Sequence, residues 1–93
     1  MEYRVAGKSG VRLSCLGFGC MRLPKRKDEP KKIDFEASLR LFRRARELGV
    51  NYFDTAYLYD GGDSERCLGE FLKEVERQEV VISTKNPVGH QWW

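Results

Sequence analysis

The chain has 93 residues, of which 41% are hydrophobic and 33% are charged, proportions typical of one small globular domain. This composition argues against a low-complexity or membrane-embedded protein. The net charge of +3, from 17 basic and 14 acidic residues, is compatible with anionic ligands such as phosphates. Because the basic residues form no stripe interleaved with aromatic residues, we expect no nucleic-acid partner.

The three cysteines, Cys15, Cys20 and Cys67, are odd in number and include no close Cys-x-x-Cys pair, so neither a disulfide framework nor a zinc site is predicted. Reduced thiols are the norm in cytoplasmic proteins. The first residues lack the apolar core of a signal peptide, and no apolar run approaches the ~20 residues that cross a membrane. We therefore expect a cytoplasmic protein with no membrane partner and no metal.

The first predicted elements are three short strands. Residues 3–5 and 11–13 are alternating runs on either side of a Gly-Lys-Ser-Gly segment, which predicts a β-hairpin. Residues 16–19 form a third short run, whose glycines suit a close approach of the backbone. Residues 21–32 contain two prolines and six basic residues, and we predict an exposed loop there.

Two amphipathic helices are predicted farther along the chain. Asp34 is a suitable N-cap for the first helix, and Gly49 is a suitable residue to follow its end. Asp63 or Ser64 can cap the second helix. Apolar residues at helical spacing predict the buried faces, which are Leu41, Phe42, Ala45 and Leu48 in the first helix and Leu68, Phe71, Leu72 and Val75 in the second.

Each helix is followed by a predicted strand, over residues 50–53 and 80–83, and the continuous apolar run of the second predicts burial on both faces. The order is hairpin, β, α, β, α, β, which indicates an α/β fold with parallel strands joined by right-handed crossovers. The helices can cover one face of the sheet, but nothing obvious covers the other. We therefore expect either a larger structure around this sheet or an uncovered apolar face.

Charged residues follow both of these strands. Asp54 ends the first apolar run and Lys85 comes just after the second. Carboxyl ends of parallel strands gather at one edge, with neighbouring strands about 4.8 Å apart, so the two side chains are predicted to pair. Tyr59 lies in the loop after Asp54, beside a turn at residues 60–63, and is predicted to lean over both.

Such a trio suits proton transfer to a carbonyl oxygen. An ammonium group stabilises a nearby phenolate, and a carboxylate keeps the amine charged and oriented. The phenol can then donate its proton to oxygen while a hydride reaches carbon. Proteins have no hydride donor of their own, so a nicotinamide is implied. Ordinary roles stay open as well, with Tyr59 as a packing residue, Asp54 as a turn cap and Lys85 as a solvated strand end.

Several segments resemble the aldo/keto reductase family, and together they cover nearly the whole chain. Residues 49–59, followed by Ser64-Glu65 and Leu68-Gly69, resemble the signature of the family. Residues 3–10 are similar to its opening hairpin, residues 16–22 to its first barrel strand and the loop after it, and residues 82–85 to its third strand. The similarity is greatest to the bacterial and channel-β-subunit-like branches.

The resemblance implies a (β/α)8 barrel that reduces aldehydes and ketones with NADPH. Tyr59 falls on the proton donor of the family, and Asp54 and Lys85 fall on the two residues that tune it. The cofactor-binding residues implied are those of the loop beside the nicotinamide, with Asp54 also near its ribose: Gly19, Cys20, Met21 and Asp54.

The chain also departs from the family pattern. The family has a fourth catalytic residue, a histidine at the end of strand four, and His90 comes too early in this chain to match it. A complete barrel needs about 250 residues. We therefore expect residues 1–93 to be an incomplete, N-terminal part of the aldo/keto reductase barrel domain that is not active alone.

Two alternatives remain open. One is a non-enzymatic βαβαβ module that dimerises through its open sheet face, with Trp92 and Trp93 in the contact. The other is one half of a split reductase, complemented by a separately encoded C-terminal half. For the reductase itself, the expected partner is a small-molecule carbonyl substrate.

Overall fold

A computed structural model describes residues 1–88. Its elements are β1 Tyr3–Val5, β2 Arg12–Ser14, β3 Phe18–Gly19, α1 Phe35–Glu47, β4 Tyr52–Asp54, α2 Asp63–Leu72 and β5 Val81–Ser83, with short 3₁₀ turns at Tyr59–Gly62 and Arg77–Glu79. Strands β1 and β2 form an antiparallel hairpin, and β3, β4 and β5 form a parallel sheet in that order. The predicted α/β order is confirmed.

The core lies between the sheet and the two helices. Phe53, in the central strand β4, is fully buried. Its ring centroid lies 5.7 Å from that of Phe42 in α1 and 5.4 Å from that of Phe71 in α2. Both helices therefore pack on the same face of the sheet, and this aromatic cluster holds the three elements together.

The other face of the sheet differs from the expectation of an uncovered apolar surface. Side chains alternate between the two faces of a strand, so the register that pairs Phe18, Phe53 and Ile82 sends their neighbours to the opposite face. Those neighbours are mostly small or polar residues: Gly19, Asp54 and Ser83 toward the carboxyl end, and Tyr52 and Val81 toward the amino end. The predicted burial of β5 on both faces is wrong, because its three residues are only half-buried at the edge of the described sheet.

The hairpin closes the end of the sheet where the strands begin. The Tyr3 hydroxyl donates to the Gly49 carbonyl oxygen at 2.7 Å. The Ser14 amide donates to Asn51 Oδ1 at 2.7 Å, and the Asn51 amide donates to Ser14 Oγ at 3.1 Å. These bonds fix the hairpin against the residues that lead into β4.

In helix α1 the predicted N-cap is confirmed, but only half of the predicted buried face is buried. Asp34 Oδ1 accepts a hydrogen bond from the Ala37 amide at 2.9 Å. The buried side chains are Ser38, Phe42 and Ala45, whereas Leu41 and Leu48 are 44% and 56% exposed. Leu41 and Leu48 share one line along the helix, at the margin of the face that meets the sheet.

Neither predicted residue caps α2, whose N-cap is Gly62. Asp60, Gly61 and Gly62 all have positive φ values, and this left-handed turn places the helix start after Gly62. Ser64 is fully buried and bonds outside its helix. Of the predicted buried face, Leu68 and Phe71 are buried, and the other two residues are half-buried at or beyond the helix end.

The segment 21–32, here called the basic loop, is exposed only in part. Leu23 is buried in the core. The Arg26 amide donates to the Lys32 carbonyl oxygen at 2.8 Å, and the Asp34 amide donates to the Pro24 carbonyl oxygen at 2.8 Å. The two arms of the loop therefore pair with each other, because backbone groups this close to the core need partners. None of the helices within residues 1–88 is long and apolar enough to cross a membrane.

Candidate active site

The structure brings Asp54 and Lys85 together at the carboxyl edge of the sheet. Asp54 ends β4 and Lys85 follows β5, its neighbour in the sheet. Lys85 Nζ donates to Asp54 Oδ2 at 2.8 Å and to the backbone carbonyl oxygen of Thr55 at 3.0 Å. The side chains are 53% and 37% exposed, so this ion pair faces solvent and any ligand bound there.

Tyr59 lies against the same amine. Lys85 Nζ is 5.0 Å from the centroid of the Tyr59 ring and faces it, within the range of a cation–π contact. The hydrogen bond with the Asp54 carboxylate, with a further contribution from the nearby Tyr59 side chain, raises the pKa of Lys85 above its ordinary value. The amine is therefore held as an ammonium group between a carboxylate and a phenol.

Two cavities flank Lys85. One has a volume of about 200 Å³ and is lined by Tyr59, Lys85 and Pro87 together with Ala56, Leu58 and Asn86. The other has a volume of about 380 Å³ and reaches from Lys85 to Tyr57 and Glu65. A small ligand in either cavity would lie against Lys85.

The predicted cofactor loop is placed beside this edge, but its three residues differ in accessibility. Gly19 lies opposite Asp54 in the sheet, and no other atom lies within 4 Å of the position a Cβ would take there. Met21 is 55% exposed. Cys20 is fully buried, and burial raises the pKa of its thiol to about 12, so it packs as a neutral thiol.

Both backbone groups of Cys20 also have partners already. Its amide donates to the Asp54 carbonyl oxygen at 2.8 Å, and its carbonyl oxygen accepts from Ser64 Oγ at 2.9 Å. Gly19 and Met21 are therefore the accessible members of this loop. A cofactor could still contact Cys20 through the second lone pair of its carbonyl oxygen.

A buried hydroxyl pair supports the site from behind, and sequence reasoning missed it. Thr55 Oγ1 and Ser64 Oγ lie 2.7 Å apart, and neither residue is more than 1% exposed. A hydroxyl has one proton, and Ser64 donates its proton to the Cys20 carbonyl oxygen. Thr55 is therefore the donor in the pair with Ser64. The chain of bonds joins the segment after β3, the end of β4 and the start of α2.

The signal for this network was present in the signature-like segment, which contains both Thr55 and Ser64. Sequence reasoning gave Ser64 the role of an N-cap instead. Three other residues of the sequence analysis, His90, Trp92 and Trp93, lie outside the described residues. Within residues 1–88, no group of three or more His, Cys, Asp or Glu side chains could hold a metal ion.

Comparisons with known proteins agree on one family. The model of the aldo/keto reductase family matches residues 15–93. The aldo-keto reductase dtxS3 of Metarhizium robertsii is 38% identical over 87 residues, which cover 91% of this chain and 24% of that protein. A probable voltage-gated potassium channel subunit beta of Arabidopsis thaliana is 33% identical over 87 residues, covering 91% and 25%.

A solved structure gives the same result for the fold. The aldo-keto reductase AKR11C1 from Bacillus halodurans, in its holo form, matches with a TM-score of 0.76 and 35% identity over 100% of this chain and 30% of its own. The predicted fold class is thereby confirmed as an α/β fold that resembles the N-terminal part of the (β/α)8 barrel. The chain spans about a quarter of the length of the curated relatives it matches.

Proposed function

The chain belongs to the aldo/keto reductase family, and on this premise we propose that it supplies the proton-donating part of an NADPH-dependent carbonyl reductase. One observation carries the proposal: the Lys85 ammonium group lies between the Asp54 carboxylate and the Tyr59 ring. This arrangement suits a reaction in which a carbonyl oxygen gains a proton as its carbon gains a hydride.

In this mechanism, Tyr59 gives its hydroxyl proton to the carbonyl oxygen of an aldehyde or ketone. Lys85 stabilises the phenolate that results, because opposite charges in contact favour the ionised form. Asp54 keeps the amine protonated and directs it toward the phenol through the 2.8 Å hydrogen bond. Without Asp54, the amine would keep only its hydrogen bond to the Thr55 carbonyl oxygen.

The residues at the carboxyl edge of the sheet fit a nicotinamide cofactor. The open space at Gly19, the exposed Met21 and the half-exposed Asp54 carboxylate form an accessible surface beside the proposed proton donor. Members of the family generally use NAD(P)H, and a bound NADPH would supply the hydride. Gly19, Met21 and Asp54 would lie nearest to it.

We propose further that residues 1–93 are an incomplete part of the barrel domain. The curated relatives are about four times as long, and the barrel of this type needs about 250 residues. Reduction of a carbonyl would then require the remaining strands, supplied by the same polypeptide or by a separate one. The 93-residue chain by itself is expected to be inactive.

A chimera tests this proposal. The chain would replace the matching segment of the Bacillus halodurans reductase, and oxidation of NADPH would be followed with a reactive aldehyde. We expect the chimera to turn over, the isolated chain to be inactive, and Tyr59→Phe in the chimera to abolish reduction while NADPH still binds. Tyr3→Phe, at the opposite end of the sheet, is the matched control. Activity retained by Tyr59→Phe would remove Tyr59 from the role of proton donor.

Self-association is a second candidate, and a different surface from the predicted one favours it. The exposed apolar side chains Leu16, Leu41 and Leu48 border a groove of about 250 Å³ beside the edge strand β3. A non-enzymatic module could dimerise there, or a separately encoded half of a reductase could dock. Sedimentation of the isolated chain at several concentrations, alone and mixed with the C-terminal part of a relative, separates these cases. A monomer in both would exclude them.

A further inference from the structure

The residue that follows Tyr59 has an unusual backbone. Asp60 has φ 53° and ψ 41°, and it is the one non-glycine residue with positive φ within residues 1–88. This left-handed conformation is disfavoured for a residue with a side chain, although aspartate tolerates it better than most. The two residues after it are glycines, for which the same conformation is unstrained.

A lysine from the basic loop holds Asp60 in place. Lys25 Nζ lies 3.1 Å from Asp60 Oδ1, and the two side chains are only 30% and 14% exposed. The same nitrogen donates to the Leu23 carbonyl oxygen at 2.7 Å. The backbone of Lys25 is itself held by a bridge to Ile33. The cation is therefore fixed from two sides before it meets the carboxylate.

The second carboxylate oxygen makes Asp60 depend on this one cation. Asp60 Oδ2 is buried and has no hydrogen-bond partner in the described part of the chain. A buried carboxylate that loses its counter-ion is costly, because neither water nor another donor compensates for it. Removal of Lys25 should thus displace Asp60 rather than leave it in place with an unpaired charge.

We infer that Lys25 and Asp60 are positioning residues for Tyr59. The ion pair joins the turn Tyr59–Gly62 to the basic loop. Lys85, which follows β5, contacts the Tyr59 ring. The orientation of the phenol is then set by two lysines, one over its ring and one acting through the next residue. The catalytic meaning of this arrangement rests on the proposed function, but the arrangement itself can be tested without it.

The test uses NMR of the full 93-residue chain. A lysine that lies over an aromatic ring has its terminal methylene protons shifted upfield by the ring current. We expect Lys25→Met and Asp60→Asn each to move the Lys85 signals downfield, toward those of a free lysine. Lys27→Met, in the exposed part of the same loop, should leave them unchanged. Wild-type Lys85 signals in Lys25→Met would overturn the inference.

Asp60→Gly separates the ion pair from the backbone. Glycine adopts the left-handed conformation freely, so the turn survives while the carboxylate is lost. If the pair positions Tyr59, Asp60→Gly should behave like Lys25→Met. If only the turn matters, it should resemble the wild type, and that result would contradict the proposal.

A second measurement covers variants too unstable for resolved spectra. In a double-mutant cycle of Lys25→Met and Asp60→Asn, we expect their effects on the unfolding equilibrium constant to be non-additive by about threefold or more. Additive effects would overturn the inference. The two proposals can fail separately. If the Lys85 signals of the 93-residue chain respond as expected but the chimera lacks reductase activity, the proposed function is refuted and the positioning role stands.

Discussion

Replacing Ser64 with alanine should destabilise the chain far more than its size suggests. Ser64 Oγ accepts from Thr55 at 2.7 Å and donates to the Cys20 carbonyl oxygen at 2.9 Å, and the residue is fully buried. Ser64→Ala leaves one donor and one acceptor unpaired, at about 1–3 kcal/mol each. The expected loss is about 2–6 kcal/mol, from a total of about 5–15 kcal/mol for a domain of this size.

Ser38→Ala is the matched control, because the residue type and the burial are the same. Within the described residues, the Ser38 hydroxyl is buried and has no hydrogen-bond partner. Removing a poorly satisfied buried hydroxyl should therefore leave stability unchanged or raise it. Unfolding in urea measures both variants. Equal losses for Ser64→Ala and Ser38→Ala would refute the reasoning, since burial alone would then explain the result.

Three further predictions concern the core, the ion pair and the thiols. Phe53→Ala should cost about 3–5 kcal/mol in urea unfolding, because it empties the centre of the aromatic cluster, and a loss below about 1 kcal/mol would mean that the cluster is not as described. The raised pKa of Lys85 means that its pairing with Asp54 stabilises the fold fully below the ordinary value of 10.5 and that this stabilisation is lost as pH rises through the raised pKa. The wild type should accordingly be more stable than Asp54→Asn near neutral pH, and the two stabilities should converge in strong alkali. A difference in stability that grows in alkali would contradict this prediction. Iodoacetamide should modify the folded chain at the exposed Cys15, while Cys20 and Cys67, with pKa values raised to about 12 and 11 by burial, should react only after unfolding, as mass spectrometry of the peptides would reveal.

The parts of the site that could be predicted are those set by strand direction. Asp54 and Lys85 follow neighbouring parallel strands, and parallel strands end at one edge, so their pairing needs no knowledge of the packing. The cap at Asp34 was equally accessible, because a side chain that bonds its own helix start depends only on local spacing.

The parts that could not be predicted depend on how distant segments meet. Ser64 has the composition of an N-cap, and only the position of the Cys20 carbonyl oxygen gives it another partner. Leu41 and Phe42 are adjacent apolar residues, and the angle at which α1 meets the sheet decides which one is buried. A turn at residues 60–63 could be predicted from its own sequence, but the ion pair of Asp60 with Lys25, a residue more than thirty positions earlier, is a contact that no local pattern indicates.

The hairpin at the start of the chain gives the molecule two unlike ends. The hairpin packs through Tyr3, Ser14 and Asn51 against the end of the sheet where the strands begin. Asp54 and Lys85 lie at the opposite end. The proposed chemistry therefore lies at the end of the sheet opposite the hairpin. An affinity tag or a fluorescent label joined to Met1 would sit on the hairpin side, which makes the amino terminus the natural handle for purification or surface immobilisation.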